Sequence, residues 1–163
     1  MNCISTPTTR GNKMKEAKLK AFVEVVKHYF SQFGSDELVV DTPYLYEGGQ
    51  PDVYAYTGVI GISGVLRGVV YVTASEDLLR VVLDEMNENS LDEALLVDLV
   101  GEIANTISGN ARTEFGSEFH ISIPFVFKGA PQSVILPKDG RAFIIPILWR
   151  KKVGEIVVSL EKV

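Results

Sequence analysis

The chain has 163 residues, 46% of them hydrophobic, which suits one compact domain with a sizeable core. Sixteen Lys plus Arg against twenty-one Asp plus Glu give a formal charge of −5, so there is no net positive field to draw the chain onto nucleic acid or an anionic membrane. The single cysteine, Cys3, excludes an internal disulfide and any multi-cysteine metal site and suits a reducing cytoplasm.

The N-terminus, "MNCISTPTTRGNKMKEAK", lacks the apolar run of a signal peptide, and no uninterrupted apolar run approaches the roughly 18 residues of a membrane span. Ser, Thr, Pro and Gly dominate residues 4–12, and Met14 opens a charged helical pattern. The expected organisation is a flexible tail over 1–13 and one domain over 14–163. Leu19, Phe22, Val23, Val26, Tyr29, Phe30 and Phe33 recur at intervals of three and four, which predicts an amphipathic helix stopped by Gly34.

"LVVDTPYLY" (38–46) and "YAYTGVIGISGVLRGVVYVT" (54–73) are rich in Val, Ile and Tyr and broken by Gly and Ser. They predict two or three strands, with a hairpin turn centred on Ser63 and Gly64. Ser75 is an expected N-cap for "EDLLRVVLDEMNEN", a second helix ending near Asn89. Ser90 with Glu93 reads as a capping box opening a third helix, which runs to about Phe115 before Gly116. The last third reads as strands: "FHISIPFVF", "SVILP", "AFIIPILW" and "EIVVSL", with "KDG" (138–140) as a turn. Pro124 and Pro146 cannot donate to a ladder, so their nitrogens belong at an edge, a bulge or away from a partner. Trp149, Phe143 and Phe125 are expected in the core or at an interface, and "WRKK" (149–152) at a solvated hairpin tip. The fold class is α+β: an antiparallel-rich sheet with an N-terminal helix and two central helices packed on it.

The third helix carries the candidate chemistry. At about 100° per residue, Leu96, Leu99, Val100, Ile103, Ala104, Ile107 and Ala111 form its core side. Asp98, Glu102, Asn105 and Gly109 share the opposite side within roughly a quarter-turn, with Ala94 and Thr106 close by. A solvated face ordinarily fills with long helix formers. This one holds Asn, Thr and a glycine that costs about 1 kcal/mol relative to Ala, which suits close approach by another surface, within the chain or outside it.

Several chemistries find no support. His28 and His120 lie in unrelated segments and make no metal-ligand pair, and they read as ordinary helix and strand residues. No Ser or Cys has a nucleophile setting, and the glycine-rich stretches lack the P-loop lysine. An acid and an amide do suffice for one task in phosphoryl transfer, where a metal and cations already hold the phosphoryl and a water remains to be placed in line. Asn105 suits holding that water, and Glu102, one turn earlier, suits pairing with a cation on a partner. The alternative role of Glu102, as a base, finds no support in its place on an exposed helix face.

The stretch "DLVGEIANTISGNA" resembles the E-x-x-N motif of the CheC, CheX and FliY chemotaxis phosphatases. The flanks "GVLRGVVYVTASEDLLRVV" and "ISIPFVFKG" resemble the strand, helix and strand around it, and the likeness runs from about residue 14 to the C-terminus. It implies a hydrolase acting on the aspartyl phosphate of a phosphorylated CheY-type receiver domain. No cofactor is implied on this chain, with Mg2+ bound by the receiver. It makes Asn105 the water-orienting residue and Glu102 the partner of the receiver's active-site lysine. Asp98 and Gly109 become neighbours of the site. CheC-type members carry two such motifs. Here the first helix has none, and the echo "DEMN", Asp84 with Asn87, lies in a last helical turn, so one active helix per chain resembles CheX. The resemblance also implies a homodimer through a shared sheet, for which the apolar C-terminal strands would suit edge pairing. The competing expectation is a non-catalytic receiver-binding or scaffold module like the FliM middle domain. A FliM-like switch part needs a further C-terminal domain, against which the end of this sequence at Val163 is an argument.

Overall fold

A computed structural model describes residues 10–34, 36–47, 51–129 and 141–162. The first helix, α1 (Arg10–Ser31), precedes the short strands β1 (Leu38–Val40) and β2 (Tyr44–Tyr46) and the long hairpin β3 (Tyr56–Gly64) and β4 (Leu66–Ala74). Then come α2 (Glu76–Glu85), α3 (Glu93–Phe115), β5 (Phe119–Ile121), β6 (Phe125–Lys128), β7 (Ala142–Trp149) and β8 (Lys152–Lys162). Of the expected tail, residues 1–9 lie outside the described residues and residues 10–13 open α1 instead, which begins earlier than the tail's expected end; the expected strand "SVILP" and turn "KDG" also lie outside the described residues.

The strands form one antiparallel sheet in the order β1-β7-β8-β4-β3-β5, with β2 also paired to β7 and β6 to β3. This is the expected α+β architecture. Its outer strands correct one expectation. The C-terminal strands β7 and β8 are interior, each paired on both sides, while β1 with β2 and β5 with β6 line the two edges among the described residues. The long runs of Ile and Val in β7 and β8 fit burial between neighbours better than an exposed edge. Pro146 is accommodated where β1 gives way to β2. Its carbonyl accepts the Asp41 N–H at 2.9 Å just past β1, so its missing donor faces the gap between the two short strands.

One face of the sheet carries the helices. α3 packs on β3, β4, β5 and β6, α2 on α3 and β8, and α1 chiefly on α3. Phe22 of α1 meets Phe115 near the C-terminal end of α3 at 5.5 Å, whereas Phe30 borders the same small apolar cavity as Ile103, so α1 runs antiparallel to α3. Trp149, Phe22, Phe119 and Ile103 belong to this buried core. On the opposite face Tyr71, Ala142, Ile144 and Val157 form a second buried cluster.

The close seat of α3 on the sheet has a visible cause. A Cβ at Gly58 would stand 2.7 Å from the Val100 carbonyl oxygen, and one at Gly101 would stand 2.9 Å from Val126 Cγ2. Paired glycines let helix and strand backbones approach where any side chain would hold them apart.

Local signals mostly act as expected. Ser75 caps α2, its hydroxyl accepting the Leu78 N–H at 3.1 Å. α2 stops at Glu85, about a turn short of the expected Asn89, because Asn87 takes a left-handed conformation (φ 59°) and two backbone N–H groups fold back. Asn87 donates to Asp84 and Glu88 to Leu83. The Asn87 of the "DEMN" echo is therefore a helix stop. The capping box at Ser90 is corrected. Asp92 is the N-cap, its carboxylate accepting the Ala94 N–H at 3.0 Å, while the Ser90 hydroxyl accepts the Asp92 N–H. Glu93 is thereby the first helical residue, its carboxylate free to accept the Tyr56 hydroxyl at 2.9 Å and to pair with Lys128. The expected strand "FHISIPFVF" is two strands, β5 and β6, divided at residues 122–124.

Candidate functional site

α3 continues for 23 residues, long enough to present both a buried stripe and an outward one. All seven residues assigned to its core side are buried. Asp98, Glu102 and Asn105 are exposed and Gly109 is half-exposed on the outward side, as the spacing predicted. Among the described residues neither the Glu102 carboxylate nor the Asn105 side-chain amide has a hydrogen bond or ion pair, so both polar groups are available to a partner.

Gly109 resolves one open question. A Cβ there would meet nothing within 4 Å, so no element of the described chain demands its small size. The small residue leaves a shallow place beside Asn105 on an outward surface. Gly101, in the same helix, is the opposite case and serves internal packing.

Two elements flank this face. On one side α1 and α3 enclose an open groove of about 660 Å³ that includes Lys20, Glu24 and His28 on α1 and Asn110, Thr113 and Glu114 on α3. Asn110 is thus a groove residue, since the helix end is made by Gly116, whose N–H donates to the Arg112 carbonyl. His28 is an exposed helix residue, and His120 sits on the edge strand 3.8 Å from the Glu118 carboxylate. Tyr29 is a neighbour the sequence did not single out. Burial first, and the Glu102 carboxylate second, push its phenol from 10.0 up to about 12, which places it neutral beside the acid. Its position in the helical repeat signalled only a core residue.

On the other side lies the break between β5 and β6. Pro124 stands 3.9 Å from where a Cβ on Gly101 would be, next to the residue that precedes Glu102. The basic "WRKK" segment is remote in its bonding: Arg150 pairs with Glu37 and lies 3.7 Å from Glu85, at a two-residue turn in which Arg150 and Lys151 both have positive φ. It is the hairpin tip expected from the sequence. Trp149 beside it is fully buried, Phe143 half-buried and Phe125 exposed. No group of three or more His, Cys, Asp or Glu converges among the described residues. Nor, among the described residues, is any helix long and apolar enough to cross a membrane.

The face therefore offers an acid and an amide one helical turn apart, unpaired among the described residues, with a small residue beside them. That arrangement can accept a cation and hold a water, provided another molecule brings the reacting group.

Comparison with solved structures places this architecture among chemotaxis proteins. A CheC-like chemotactic protein from Shewanella oneidensis is 26% identical, with a TM-score of 0.75 over 87% of this chain and 96% of the other. The CheX protein from Vibrio vulnificus is 25% identical, with a TM-score of 0.73 over 89% and 99%. At 17% identity, CheX from Borrelia burgdorferi, solved in complex with CheY, BeF3 and Mg2+, shares the fold at a TM-score of 0.73 over 88% and 97%. Comparison with curated proteins gave no match. The family model described as chemotaxis phosphatase CheX matches residues 56–148, from the start of β3 almost to the end of β7, and so includes all of α3. The chain belongs to the CheX family.

Proposed function

We propose that this protein accelerates hydrolysis of the aspartyl phosphate on a CheY-type receiver domain. The observation that carries the reading is Glu102 and Asn105, one turn apart on the outward face of α3, their side chains unpaired among the described residues, beside a glycine that no described residue packs against. Membership of a family described as chemotaxis phosphatases supports it, as does the fold shared with a CheX protein solved with CheY, BeF3 and Mg2+.

In this reading the receiver supplies the phosphoryl group, the Mg2+ and a lysine, and this chain supplies no cofactor. Glu102 pairs with the receiver's lysine and fixes the approach of α3. Asn105 enters beside the phosphoryl group and hydrogen-bonds a water, holding it in line for attack at phosphorus. The transition state is loose, so holding the nucleophile is the main help still to be given. Glu102, exposed on one face of a helix, acts by pairing and not as a base. A homodimer through a shared sheet is part of the proposal, formed at an outer strand and not at β7 or β8. The protein works in the cytoplasm, where receivers reside.

The test is the decay of a phosphorylated CheY-type receiver from the same genome. Faster decay with the wild-type protein, lost with Asn105→Ala, supports the reading. A folded wild-type protein that accelerates decay of no chemotaxis receiver refutes it and leaves a receiver-binding module as the better account.

A further inference from the structure

We propose that Ile123 is a recognition residue for the receiver, packing against it when Asn105 reaches the phosphoryl group; this rests on the phosphatase reading above. A lone exposed apolar residue is ordinary. What distinguishes Ile123, which is 79% exposed, is that the backbone holds it in a fixed place next to the candidate site.

The break between β5 and β6 is clamped by three hydrogen bonds. The Ser122 N–H donates to the Gly61 carbonyl at 2.9 Å, the Gly61 N–H donates to the Ser122 hydroxyl oxygen at 2.9 Å, and that hydroxyl donates to the Ile123 carbonyl at 2.8 Å. Pro124 follows, with no N–H to continue the ladder and φ fixed by its ring. Ile123 is thus presented with little backbone freedom left to lose on binding.

Its position follows from the register. Pro124 lies 3.9 Å from where a Cβ on Gly101 would be. From Gly101 to Asn105 the helix rises about 6 Å, and Ile123 is one Cα step, about 3.8 Å, from Pro124. A specific interface covers about 800 Å² on each partner, a disc of about 16 Å radius. A receiver footprint centred on Asn105 is therefore wide enough to reach Ile123.

The experiment is steady-state dephosphorylation of the phosphorylated receiver by wild type, Ile123→Ser and Ile123→Val, with Val39→Ser as control. Val39, also exposed, lies on β1 at the far edge of the sheet from β6, about 24 Å away at the usual strand spacing and outside such a footprint. Ile123→Ser is expected to raise KM about tenfold or more with kcat within about twofold, Val to restore most of the loss, and the control to match wild type. Melting temperatures should agree, since the residue is exposed. An unchanged KM in Ile123→Ser, with acceleration still abolished by Asn105→Ala, overturns the assignment and leaves the phosphatase reading intact. If Ile123→Ser dissociates a homodimer in sedimentation equilibrium while KM holds, the residue faces a second copy and the assignment also falls. A wild type that accelerates nothing overturns both.

Discussion

Gly109→Ala separates stability from function on the same residue. Gly109 lies inside a 23-residue helix, and an added Cβ meets nothing within 4 Å. The substitution therefore removes backbone freedom from the unfolded chain with no steric cost in the folded one, a gain of about 0.5–1 kcal/mol. For a domain of this size each kcal/mol moves Tm by about 2–4 °C, so Tm should rise by about 1–4 °C in a thermal melt followed by far-UV circular dichroism. Gly58→Ala should do the reverse. Its Cβ would lie 2.7 Å from the Val100 carbonyl oxygen, and relieving that contact shifts α3 as a body, an overpacking cost of about 1–3 kcal/mol. If the Gly109 face docks a receiver, Gly109→Leu should raise KM for the phosphorylated receiver about tenfold while the protein stays folded. A lower Tm for Gly109→Ala would show that the glycine is packed internally. An unchanged KM for Gly109→Leu would show that nothing approaches it closely, and either result refutes the reasoning.

Further outcomes follow from the packing and the caps. Ser75→Ala removes the acceptor for the Leu78 N–H and should cost about 1 kcal/mol in a urea titration, with Ser75→Asp close to wild type. Phe22→Ala empties a fully buried site between α1, Phe115 and Phe119 and should cost about 3–5 kcal/mol; a loss under about 1 kcal/mol would mean α1 is not seated as described. The Glu93 carboxyl is held below its ordinary 4.5, first by Lys128 and then by the Tyr56 hydroxyl. A depressed folded pKa gives stability that is present above the unfolded value and lost as pH falls through the folded one. The Tm difference between wild type and Lys128→Ala should therefore be largest at neutral pH and fade on acidification below 4.5, and a difference that persists in acid contradicts the pairing.

The helices were legible because burial repeats at their own period: the whole apolar stripe of α3 is buried and its outward residues are outward. Caps were legible where one residue had no rival, as at Ser75. At the start of α3 two short polar side chains compete, and the choice of Asp92 over Ser90 depended on Glu93 being needed by Tyr56 and Lys128, contacts that link residues far apart in sequence. Strand order was not legible, since pairing partners leave no local mark, and so the C-terminal strands looked like an edge. Of the candidate site, Asp98, Glu102, Asn105 and Gly109 came from helical spacing alone. The roles of Glu102 and Asn105 came from chemistry and family resemblance. Tyr29 and Ile123 did not emerge. Tyr29 reaches Glu102 only through the packing of α1 on α3, and Ile123 depends on a strand break that Pro124 hinted at without locating.

The central claim is that Asn105 places the attacking water, and the most direct measurement is single-turnover decay of the phosphorylated receiver with saturating wild-type or Asn105→Ala protein. Affinity for the receiver is measured alongside, in the presence of Mg2+ and beryllofluoride. The account predicts a loss of acceleration of about 100-fold or more with affinity essentially unchanged. Retained acceleration at saturation, or a loss explained wholly by weaker binding, would contradict it.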